Sequence, residues 1–66
     1  METIYDVQQL LKKFDILIYM KNRIYMLNLY GLEIAELYRL KLIDQSDYLK
    51  SVTIIKRELR ILKEEV

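Results

Sequence analysis

Proline is absent from this chain and glycine occurs once, at position 31. A polypeptide of 66 residues with so few helix breakers can stay helical through most of its length. That length admits one domain, residues 1–66, and no more. A domain this small buries only about 60% of the surface its unfolded chain exposes. There is no cysteine to staple it and no histidine to hold a structural metal. Close helix packing remains, or a partner that covers the leftover apolar surface. A hydrophobic content of 53% is too high for a disordered segment.

The apolar spacing marks three helices. Thr3 is placed to cap the first, with Asp6 three residues on as a shortened capping box. That helix runs roughly from Ile4 to Lys13, with Ile4, Val7, Leu10, Leu11 and Phe14 on one face. The run Ile16-Leu17-Ile18-Tyr19 has no helical spacing. It reads as an extended connection across the bundle or as a continuation of the first helix. The connection is favoured, because Asp15 and Asn22 tolerate turn geometries. Asn22 caps a second helix, roughly Arg23 to Leu40, with Leu27, Tyr30, Ile34, Leu37 and Tyr38 on one side. Tyr25, Leu29, Leu32 and Leu40 project from nearly the opposite side. Gly31 inside this helix reads as a point of close packing against another helix. Asp44, with Asp47 behind it, caps a third helix from about Gln45 into the final residues. Tyr48, Val52, Ile55, Leu59, Leu62 and Val66 form its heptad seam, and Ile54 and Ile61 lie off it. The predicted fold is all-α, a compact three-helix bundle.

The residues exclude most catalytic chemistry. Without His or Cys there is no nucleophile–histidine arrangement and no tetrahedral zinc site of the usual ligands. One glycine cannot build a phosphate-cradling loop. Glu33 and Glu36 are neighbours, and a solvated helix face is the ordinary reading of such a pair. No cofactor, metal or small-molecule substrate is expected, and no enzymatic activity. The longest uncharged stretch, Ile24 to Leu32, is nine residues, far short of the ~20 a membrane span requires. With no basic, apolar leader visible, the expected location is the cytoplasm.

Net charge is only +1, yet the charges are segregated. Lys50, Lys56, Arg57, Arg60 and Lys63 fan across one side of the third helix, and Asp47, Glu58 and Glu65 gather on the other. Lys12, Lys13, Lys21 and Arg23 cluster around the first connection, interleaved with Phe14, Tyr19 and Tyr25. Cations for phosphates and rings for bases are the ingredients of single-strand recognition. Phe14 also completes the first helix's core stripe.

Tyr5-Asp6-Val7-Gln8-Gln9-Leu10-Leu11, Ile18-Tyr19, Asn22-Arg23, Glu33, Glu36-Leu37-Tyr38 and Leu42-Ile43 resemble the YqgQ family of small proteins from Gram-positive bacteria. The resemblance covers essentially the whole chain. It implies a three-helix fold, a cytoplasmic location and single-stranded nucleic-acid binding, an activity proposed for that family, with no catalytic residues. It gives Tyr19 a stacking role and Arg23 a phosphate contact. The family usually has glycine where this chain has Asp15 and Lys21, and an acidic residue at Met26, so the connection is expected to depart from the family's backbone. Met26 and Tyr30 make the second helix more apolar and strengthen the argument for an oligomer.

Two functions from different classes follow. One is binding of single-stranded RNA or DNA through Lys12, Lys13, Tyr19, Lys21, Arg23, Arg57 and Arg60. The other is a helical protein-interaction or homo-oligomerisation module without nucleic acid, working through Tyr25, Leu29, Leu32, Leu40, Ile54 and Ile61.

Overall fold

The structure, a computed structural model, describes residues 2–64. Three helices follow one another: α1, Ile4–Lys12; α2, Arg23–Arg39; and α3, Gln45–Glu64. The architecture is the expected all-α three-helix bundle. Val66 and Glu65, assigned above to the seam and the acidic side of the third helix, lie outside the described residues.

Short polar side chains fix the helix starts. The Asp6 carboxylate accepts the backbone N–H groups of Glu2 at 2.7 Å and Thr3 at 3.0 Å. Hydrogen bonding to the charged form favours it, so Asp6 titrates below the usual carboxylate range, with the Glu2 bond the larger cause. Asn22 Oδ1 accepts the Tyr25 N–H at 3.0 Å, and Asp44 Oδ1 accepts the Asp47 N–H at 2.8 Å.

The first two helices end in the same motif. Asp15 N–H donates to the Lys12 carbonyl at 3.0 Å and Ile16 N–H to the Leu11 carbonyl at 3.1 Å. Lys41 N–H donates to the Tyr38 carbonyl at 3.0 Å and Leu42 N–H to the Leu37 carbonyl at 2.9 Å. Such paired bonds are the Schellman closure, and they need a left-handed residue at the turn. Asp15 at φ 60° and Lys41 at φ 62° supply it. α1 therefore stops one residue short of the expected span, and Leu40 falls just outside α2.

Val7, Leu10 and Leu11 of α1 meet Met26, Leu27, Tyr30, Ile34 and Leu37 of α2 and Ile54 and Ile55 of α3, with Ile43 from the second connection. Phe14, Ile16, Ile18, Tyr48, Val52, Leu59 and Leu62 pack against this core. The Tyr38 and Tyr48 rings stack with centroids 4.3 Å apart, joining the end of α2 to the start of α3.

Three sequence expectations are corrected here. Ile54, assigned to an outer interface, is only 4% exposed and belongs to the core. The covered face of α3 includes the seam residues Tyr48, Val52, Ile55, Leu59 and Leu62 and extends beyond them to Ile54 and the fully buried Ser51. Met26 and Tyr30 are also buried, so they add nothing to an exposed apolar face. Gly31 is not a point of close packing, since a Cβ built there would meet nothing within 4 Å.

Candidate nucleic-acid interface

The connection from Ile16 to Met20 has neither helix nor ladder, and half-buried and exposed residues alternate from Ile16 to Tyr19, as in an extended segment. Successive side chains of an extended segment point to opposite sides. Ile16 and Ile18 accordingly pack on the core, whereas Leu17 and Tyr19 face outward. The Tyr19 ring is 91% exposed. One buried phenol holds this arrangement in place. Tyr30, itself only 2% exposed, donates its hydroxyl proton to the Ile18 carbonyl at 3.2 Å. The Tyr30 hydroxyl oxygen in turn accepts from Gln8 Nε2 at 3.0 Å. The connection is thus tied to α1 and α2 at once.

Between α1 and the connection lies a groove of about 320 Å³. Gln8, Gln9 and Lys12 form one wall, Leu17, Ile18 and Tyr19 the other, and Tyr30 contributes to the lining. Lys12 and Tyr19, singled out separately in the sequence, share this groove. Lys13 is the exposed capping residue of α1, and Lys21 and Arg23 are exposed where the chain leaves Tyr19 and enters α2. No ion pair among the described residues engages these four cations. The salt bridge found there joins Glu36 to Arg39. Phe14, by contrast, packs against the core, and Tyr25 stands exposed on α2.

Arg57 and Arg60 belong to a second place. Arg57 Nη2 donates to the Glu2 carbonyl at 2.6 Å, at the start of α1. Glu2 precedes Lys12 by ten residues, about 15 Å of helical rise. Arg57 and Arg60 line a shallow groove on α3 with Thr53 and Lys56. The structure therefore holds two cationic patches, one toward each end of α1.

The Arg39 guanidinium hydrogen-bonds both Glu36 oxygens and holds that carboxyl below its usual range, while Glu36 raises Arg39. A general acid would need the opposite shift. No group of carboxylates among the described residues could hold a metal ion. No helix there is long and apolar enough to cross a membrane.

Gln8 and the Tyr30 hydroxyl escaped the sequence reading. Gln8 looks like any solvated position, and nothing in a sequence announces a partner 22 residues away. None of the curated proteins compared with the chain matches it. The model of the YqgQ-like family matches residues 1–61, and the chain, with its three helices and braced connection, belongs to that family.

Proposed function

We propose that this chain binds single-stranded nucleic acid, RNA or DNA, in the cytoplasm and has no catalytic role. The observation that carries the reading is the Tyr19 ring, 91% exposed at the lip of a groove it shares with Lys12. Fully exposing an aromatic ring leaves apolar area in water, and a stacked base would cover it. Lys13, Lys21 and Arg23 border the same segment without ion-pair partners among the described residues, ready for phosphates. The α3 patch with Arg57 and Arg60 gives a strand leaving the groove a second place to rest.

Titration of a labelled single-stranded oligonucleotide, followed by fluorescence anisotropy, tests this. Tyr19→Ala should weaken binding by about 1–3 kcal/mol, roughly five- to 150-fold, with little change in salt dependence. Lys12→Ala and Arg23→Ala should each flatten the plot of log affinity against log salt by about 0.7 for every phosphate they cease to neutralise. Equal affinity for the wild type and all three variants would remove the site.

A further inference from the structure

We infer that α2 is the contact helix of a two-fold symmetric homodimer, with Leu32 on the axis. The observation is a second, outward seam. Tyr25, Asn28, Leu32, Ala35 and Arg39 are spaced 3, 4, 3 and 4 apart and so line one outer face of α2, polar at its ends and apolar at its middle. All five are exposed, and Leu32 is 67% exposed at the centre. Half-buried Leu29 and exposed Glu36 flank the seam.

The two halves of the seam are chemically complementary, which selects a second copy as the occupant. An antiparallel α2 pair crossing at Leu32 sets residues equidistant from it face to face. Tyr25 then lies opposite the partner's Arg39, a ring beneath a guanidinium. Asn28 meets the partner's Glu36, an amide donor against a carboxylate. Leu29 meets the partner's Ala35, and the two Leu32 side chains meet each other. Every pairing off the axis occurs twice, as a closed two-fold interface requires. A parallel pair would set Arg39 against Arg39 and Glu36 against Glu36. The seam is well below the roughly 20–30 residues a side of a standard interface, so the dimer is weak and reversible. This surface is independent of the Tyr19 groove, and nucleic-acid binding can fail without affecting it.

Sedimentation and crosslinking test the inference. Apparent mass should climb from 8.1 kDa toward twice that with rising concentration. Leu32→Glu should keep the protein monomeric with an unchanged circular dichroism spectrum, since Leu32 takes no part in the core. The chain has no cysteine, so a single one reports proximity. Leu32→Cys should oxidise to a disulfide-linked dimer at least several-fold faster than Leu49→Cys, an exposed position on α3. A monomer at every concentration up to the millimolar range, a dimer that survives Leu32→Glu, or equal crosslinking at both cysteines would overturn the assignment.

Discussion

The single glycine lies in the middle of α2, and the two left-handed turn positions are held by Asp15 and Lys41. Each is the costly choice. Glycine inside a helix is about 1 kcal/mol less favourable than alanine. A residue with a Cβ loses roughly 1–2 kcal/mol in the left-handed region, which Asp tolerates better than Lys. Gly31→Ala, with open space around the new methyl group, should stabilise the fold by about 1 kcal/mol. Lys41→Gly should stabilise it by about 0.5–1 kcal/mol, after allowing for the freer unfolded chain, and Asp15→Gly by less. Urea unfolding followed by circular dichroism measures all three, and a lowered midpoint for Lys41→Gly would contradict the strain argument. The turn at Asp15 was legible because aspartate is a turn former. Lys41 carried no such signal, since its φ is imposed by closure of α2 onto the second connection.

Helix starts were the most readable part of the elements, because Asp6, Asn22 and Asp44 act on neighbours three residues away. The first connection was half readable. Alternation in an extended segment shows through contrast between apolar and polar residues, and Ile16-Leu17-Ile18-Tyr19 has almost none. The structure sorts them by side, and the Tyr30 hydroxyl fixes the sorting. Tyr30→Phe should therefore act locally. It removes one buried donor and leaves Gln8 and the Ile18 carbonyl in search of water, at about 1 kcal/mol. Proteolysis and amide exchange between residues 16 and 21 should accelerate while α2 and α3 keep their protection. Uniform acceleration along the chain would mean that the phenol supports the whole bundle and not this segment.

For the molecule as a whole, Ile54 and Ile61 make the informative pair. They lie seven residues apart on nearly the same side of α3, so periodicity treats them alike. Only Ile54 is buried, beside Glu2 and Thr3, whereas Ile61 is exposed. α1 has nine residues and α3 has twenty, so α1 can cover only part of its neighbour. Burial is set by what lies alongside, which no single-helix pattern contains. Ile54→Ala should cost about 2–5 kcal/mol. A domain of this length holds about 3–10 kcal/mol in total, so much of the population should unfold near 37 °C. Ile61→Ala should shift stability by no more than about 0.5 kcal/mol. Thermal melts of both variants check the contrast, and similar losses would refute the asymmetry. The two groups of cations, around the first connection and on α3, were legible as residue types, but their placement in the bundle was not, because it depends on which end of α1 meets Arg57.

That meeting also orders events during synthesis. The guanidinium that clasps the Glu2 carbonyl stands 55 positions downstream, and Ile54, which packs close by, is almost as late. While the ribosome is still making the third helix, α1 lacks both contacts and rests on α2 alone, through its core residues and the Gln8–Tyr30 hydrogen bond. The start of α1 therefore settles fully only once α3 is in place.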